Sequence, residues 1–196
     1  MLSVTDLLTI QKKPNIKDVS LQLFQEFYKE HLCGRVFHFE LDDTDRPSIK
    51  LRFKEENLCH LLGIQYIVAK LKNKHEYAGK TGYQKLENGT LTFDFLKATD
   101  RTWFKSKRNR MLYFPFVHQI VQNPTVIVFS NDGLNTNLDV DIILYNHLDN
   151  TYLHLGLDKD PDSDYYYPKS FYDRKKDDHI SGRVQLPVKH INIEID

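Results

Sequence analysis

The chain keeps two kinds of apolar spacing apart along its length. Before Asn123 most apolar residues recur every three or four positions, whereas after Pro124 they alternate. A 3.6-residue period buries one face of a helix and a two-residue period buries one face of a strand, so the two stretches cannot fold alike. Helices first, then strands returning through hairpins, make an α+β fold and not a doubly wound one. The expected architecture is N-terminal helices followed by a mainly antiparallel, twisted sheet of about four to five strands, with an additional hairpin near residues 35–53. A length of 196 residues suits one domain spanning 1–196, with 1–33 as its helical N-terminal portion.

Asn15 followed by Asp18 reads as a helix cap with an acid in the first turn. Ile16, Val19, Leu23, Phe24, Phe27, Tyr28 and Leu32 then form one apolar stripe, and Gly34 ends it. A shorter helix over residues 4–11 is stopped by Pro14. Residues 35–41 and 48–53 alternate as a hairpin, joined through Asp42, Asp43, Thr44, Asp45 and Pro47. Residues 54–62 read as a short helix closed by Gly63, and residues 70–82, with four lysines, His75 and two glycines, as a mobile basic loop. Residues 91–96 alternate like a strand, but their place after Asn88-Gly89-Thr90 favours a helix start. Leu112, Phe116 and Ile120, with Tyr113, Val117 and Val121, predict a strong helix that Pro115 begins or kinks and Asn123-Pro124 ends. Strands are expected over residues 125–129, 140–147, 151–157, 165–172 and 188–195.

The 27 basic and 27 acidic side chains cancel, so any nucleic-acid footprint must be a local patch. Cys33 and Cys59 are too few for a disulfide framework or a thiolate zinc site. The opening residues lack a basic start and a long apolar run, and no stretch approaches the ~20 apolar residues of a membrane span. These features predict a cytoplasmic protein with no membrane partner.

Several side chains are candidates for chemistry. On the 54–62 helix, Leu58, Leu61 and Leu62 share one face and His60 falls opposite, where an imidazole titrating near neutrality serves as base or acid; a plain solvent-facing histidine fits the same spacing. In residues 151–157, Leu153, Leu155 and Leu157 point to the core, which leaves Tyr152 and His154 together on an open sheet face. In Pro168-Lys169-Ser170-Phe171-Tyr172, Ser170 and Tyr172 project together, with Lys169 on the reverse face unless the strand is bulged. A lysine beside a hydroxyl stabilises charge that develops in phosphoryl transfer. Lys105, Lys107, Arg108 and Arg110, adjoining Trp103 and Phe104, form a run that can track a phosphate backbone, or simply a solvated helix face. Two motifs fail. Gly79-Lys80-Thr81 has Lys74 where a phosphate loop needs its first glycine. The alternating Asp158, Asp160, Asp162 and Asp164 have Ser163 and Lys169 where a calcium loop needs glycine and glutamate, so they read as a solvated acidic turn.

The run from Ile49 through Leu58-Cys59-His60-Leu61-Leu62-Gly63-Ile64 resembles the strand-then-"HLLG" segment of phage-associated nuclease-like domains in the barnase–EndoU–colicin D–RelE superfamily. Pro168-Lys169-Ser170-Phe171-Tyr172, followed by Leu186-Pro187-Val188-Lys189, is similar to that family's closing strands. The likeness extends from the first hairpin to the C-terminus. It implies helices followed by a four-stranded sheet, with metal-free cleavage of RNA in a concavity of the sheet. By position, His60 matches the family's early histidine, and Lys169 with Ser170 its late polar pair. The implied chemistry is attack of a ribose 2′-hydroxyl on the adjacent phosphorus, leaving a cyclic phosphate. His60 and His154 would act as base and acid, and Lys169 and Arg52 would stabilise the phosphorane. Ser170 and Tyr152 would hydrogen-bond the phosphate, and Tyr172 belongs to the same binding set. No metal or other cofactor is expected. The partners implied are RNA, tRNA among them, and a cognate inhibitor or antitoxin. The competing expectation is a non-enzymatic phage or mobile-element accessory protein that binds a host protein or RNA through a tyrosine-rich sheet face, since the chain has 11 tyrosines and interfaces favour them.

Overall fold

The computed structural model describes all 196 residues. They form two compact units, one of Met1–Cys33 with Lys54–Phe116, the other of Gly34–Phe53 with Val117–Asp196.

The first unit is helical. Ser3 caps α1 (Val4–Leu8), and its hydroxyl and backbone amide are both bound by Asp6. The stripe expected from Asn15 onward is divided. Asn15 caps a single 3-10 turn at Ile16–Asp18, and Ser20 starts α2 (Leu21–His31) by accepting from the Leu23 amide. Gly34, at φ +69°, follows that helix as expected. A 3-10 turn at Glu55–Asn57 leads into α3 (Leu58–Leu61), and Gly63, at φ +76°, separates α3 from α4 (Ile64–Ile67). The expected basic loop over residues 70–82 is instead a 3-10 turn at Lys74–Tyr77 and the opening of α5 (Gly79–Glu87). Gly82 lies inside that helix because a Cβ there would come within 2.6 Å of the Tyr77 backbone and 2.7 Å of Cys59 Sγ. Residues 91–96 resolve as helix: Thr92 caps α6 (Phe93–Thr99), and Asp100 caps α7 (Arg101–Tyr113). The core of this unit centres on aromatic rings, with Phe114 meeting Phe24 at 6.3 Å and Tyr28 at 6.1 Å between centroids.

Pro115 parts α7 from α8 (Phe116–Gln122), where it does not have to donate the amide hydrogen it lacks. The second unit is one eight-stranded mixed sheet. Its strands are β1 (Arg35–Leu41), β2 (Ser48–Arg52), β3 (Thr125–Val128), β4 (Ile142–Leu148), β5 (Thr151–Lys159), β6 (Tyr165–Arg174), β7 (Gln185–Leu186) and β8 (Val188–Ile195), in the spatial order β7-β3-β4-β5-β6-β2-β1-β8. The sheet is therefore larger than the four to five strands expected. The early hairpin is no separate addition but is built into the sheet, through a parallel pairing of β2 with β6. Ile49 and Leu51 explain its central place: both are fully buried, so β2 gains by pairing along both edges.

Asp149 and Asn150, at φ +50° and +52°, make the tight turn that sets Leu148 opposite Thr151 in the β4–β5 hairpin. On one face of the sheet Leu153, Leu155, Leu157 and Phe171 are completely buried, as their alternation required. The opposite face is not open. Ile127 and Ile143 on that face join Phe129, Val140 and Ile180 from the flanking segments in a second buried cluster, with Leu134 and Leu138 packed against it. Gly156 lets this cover approach, since a Cβ there would stand 2.9 Å from Val140 Cγ1.

Candidate active site

On the sheet unit, one feature of β6 decides which side chains share a surface. Gly156 pairs with Ser170, but Leu157 pairs with Pro168, so Lys169 is the extra residue of a β-bulge. The bulge changes the strand's phase. Tyr166, Pro168 and Phe171 are its buried residues, two places apart and then three. Lys169 thereby reaches the same side as Asp158, where its Nζ donates to Asp158 Oδ2 at 2.6 Å and to Asp139 Oδ2 at 2.9 Å. The Tyr167 hydroxyl donates to the same Asp158 oxygen at 3.3 Å. Partial burial works against the lysine's charge, but the two carboxylates outweigh it and hold its pKa above the usual lysine value. Burial alone would raise Asp158, yet the bond from Lys169 leaves it below the ordinary carboxylate range. Both groups are ionised at neutral pH. Ser170, half-buried, is the next residue on this surface.

One step along, an aromatic array follows. The His154 ring stacks on Tyr172 with centroids 4.7 Å apart and planes 3° from parallel. The Tyr172 hydroxyl and His179 Nδ1 share a hydrogen bond of 2.9 Å. His147, exposed, leans on Tyr152 at 4.5 Å, and Arg174 forks onto the carboxylate of Asp178 at 2.8 and 2.5 Å. Burial, then the nearby His179 and Arg174 charges, push the His154 pKa down to about 3, so its ring stays neutral. Burial and Arg174 lower His179 as well, and burial raises the Tyr172 phenol.

His154 is thus not on an open face. Its exposure is 0%, and neither ring nitrogen has a hydrogen-bond partner of normal geometry. A group so enclosed cannot exchange protons with a bound substrate, which removes it from the acid–base pair expected of it. Tyr152 remains half-buried, and Tyr172 is committed to His179. Of the tyrosines on the sheet, Tyr145 and Tyr152 pack against the second apolar cluster. Arg52 stands in β2 with its Nε 3.0 Å from Asp196 Oδ2 and its guanidinium 3.6 Å above the Tyr165 ring.

The helical unit distributes its candidates differently. His60 is exposed, and its Nδ1 is 3.0 Å from Gln65 Nε2. The basic run on α7 does not act as one strip. Lys105 is exposed, Lys107 lies over Tyr66 and Trp103, and Arg108 lines a cleft of about 570 Å³ with Lys17, Lys97 and Phe104. Arg110 is neither a solvated helix residue nor a phosphate contact. It is 6% exposed, and its Nε and a terminal nitrogen donate to the carbonyls of Leu61 and His60 at 2.6 and 2.5 Å. These carbonyls lie in the last turn of α3, where the His60 carbonyl also accepts from the Gly63 amide at 2.9 Å, and Gly63 leaves room for the arginine stem. The "HLLG" turn and Arg110 are one structural device.

A family model describing phage-Barnase-EndoU-ColicinE5/D-RelE like nuclease 4 matches residues 20–193. The chain belongs to this nuclease family. The match takes in both the "HLLG" turn and the bulged β6 strand of the family member described above. No curated protein matches the chain, and no solved structure does. No helix is long and apolar enough to cross a membrane. Among the residues of the array, His147, Arg174 and His179 went unread in the sequence. The Asp149-Asn150 turn carried the missing signal for His147, since a two-residue hairpin turn fixes His147 opposite Tyr152. Arg174 and His179 gave no such local sign.

Proposed function

We propose that this protein is an endoribonuclease that cleaves RNA without a metal ion. The ribose 2′-hydroxyl attacks the adjacent phosphorus, the bond to the 5′-oxygen breaks, and the products carry a 2′,3′-cyclic phosphate and a 5′-hydroxyl. RNA brings its own nucleophile, so the protein supplies a base, an acid and charge to offset the phosphorane. Membership of a nuclease family supports phosphodiester chemistry. The observation that carries the reading is the bulge at Lys169, which turns an ammonium group onto the surface that also bears the Ser170 hydroxyl. Bulges recur beside active sites because they re-aim a side chain in this way. Asp139, with a side chain 91% exposed, is the partner of Lys169 that a phosphate oxygen displaces at least cost. Asp158 remains behind the ammonium and keeps it oriented.

Proton transfer is assigned to His60, because His179, at 4% exposure, is nearly as enclosed as His154. His60 is exposed and stands at the family's "HLLG" position. Total tRNA incubated in EDTA with the wild type and with Lys169→Ala, Ser170→Ala and His60→Ala, one at a time, tests the assignments. Cleavage by the wild type, reduced about 10²-fold or more by loss of an acid, a base or the ammonium group, is expected. Equal inactivity of wild type and His60→Ala removes the proposal.

A further inference from the structure

The helical unit carries an exposed aromatic pair that the cleavage chemistry does not use. Tyr66, on α4, and Trp103, on α7, stack with centroids 5.7 Å apart and planes 21° from parallel. They remain 39% and 40% exposed, among the few large apolar residues that the fold leaves in solvent. Lys107 Nζ lies 4.3 Å from the Tyr66 centroid and 5.3 Å from that of Trp103. Trp103 and Lys107 are one helical turn apart on α7, so a single helix presents the ring and the cation on one face. The same helix bears Arg101, Lys105 and Arg108 at exposed positions and has no acidic residue. A stack of rings left in water beside a cation-rich helix asks for a guest that is flat and negatively charged.

We propose that Tyr66, Trp103 and Lys107 form a stacking site for the bases of single-stranded nucleic acid. An unpaired base has two free π faces, and its phosphates complement the cations of α7. A duplex hides those faces within its own stack and offers only its backbone. A cationic guest is disfavoured by Lys107 and its helical neighbours, although aromatic pairs elsewhere hold such groups. The inference rests on the ribonuclease reading only in its choice of polymer; it assigns a grip on the strand, not a step of the reaction.

Trp103 is the only tryptophan in the chain, so its fluorescence reports this site alone. The probe is a labelled, mixed-sequence, single-stranded DNA of about 10 nucleotides, within the usual span of such sites. It lacks the 2′-hydroxyl and is not consumed by the proposed reaction. Saturable quenching of Trp103 is expected over the concentrations at which anisotropy of the label rises, with no quenching by the duplex of the same sequence. Tyr66→Ala and Trp103→Ala should each weaken binding roughly 5- to 150-fold by anisotropy. Trp103→Phe, which keeps a ring, should retain most of the affinity, and Lys107→Ala should flatten the salt dependence by about one counterion. The proposal is overturned if no saturable binding occurs, if the duplex quenches equally, or if both alanine variants bind like wild type. DNA binding with quenching but no cleavage of RNA leaves this site standing and defeats the ribonuclease reading. Cleavage with unchanged KM in both alanine variants does the reverse.

Discussion

Replacing Arg110 with methionine should destabilise the helical unit although the residue lies in a surface-type basic run. Its guanidinium donates to the Leu61 and His60 carbonyls, and the side chain is almost wholly buried. Hydrogen bonds from a charged donor contribute about 1.5–3 kcal/mol each, so two represent about 3–6 kcal/mol. Some of that is recovered because the variant no longer desolvates a cation, leaving a net loss of about 2–4 kcal/mol. For a chain of this length the melting temperature should fall by roughly 5–15 °C. Urea unfolding followed by circular dichroism measures it, and Arg108→Met, on the same helix but exposed, is the control. Gly63→Ala should act in the same direction by about 1 kcal/mol or more, since its φ is +76° and the new Cβ would stand 3.3 Å from the Arg110 stem. An Arg110→Met midpoint within experimental error of Arg108→Met would refute the claim that the guanidinium caps this turn.

Acid should weaken the sheet unit through His154. Its folded pKa of about 3 lies below the ordinary 6.5, so between those values the unfolded chain binds a proton that the folded chain refuses. Stability is therefore lost as pH falls from about 6.5 toward 3. The loss between pH 7 and pH 5 is about 2 kcal/mol, with His179 adding in the same direction. His154→Phe should flatten the difference between urea midpoints at the two pH values, and an unchanged slope would show that the ring is not held neutral. Asp139→Asn should lower KM for RNA roughly two- to fivefold by removing the carboxylate that competes for Lys169; a higher KM would contradict the displacement proposed there.

Much of the architecture was legible because local rules set it. The limits of β1 follow from alternation between Gly34 and the acidic turn, and the helix over residues 93–99 follows from the Asn88-Gly89-Thr90 turn before it, although its cap is Thr92. Where the reading failed, the deciding contact was distant in sequence. Gly79 and Gly82 looked like loop residues, but Gly82 is demanded by close packing on Cys59 and Tyr77. No local pattern announces that β2 pairs in parallel with β6, more than a hundred residues later. His154 was correctly placed across the strand from Leu153 and Leu155, but the face it shares is covered by Phe129, Val140 and Ile180. Gly156 was the trace of that cover in the sequence, a glycine within a strand where another backbone or side chain comes close. Lys169 shows the opposite case: its face depended on a bulge, which the sequence admitted and the register of β5 and β6 supplied.

The central claim is that the substrate's own 2′-hydroxyl does the cutting. The most direct measurement is the chemistry of the new ends, read by mass spectrometry after the purified protein has acted in EDTA on an RNA oligonucleotide and on its 2′-O-methyl counterpart. The account predicts cleavage of the RNA alone, with a 2′,3′-cyclic phosphate on one fragment and a 5′-hydroxyl on the other. Cuts in the methylated strand, or fragments bearing 5′-phosphates, would contradict it.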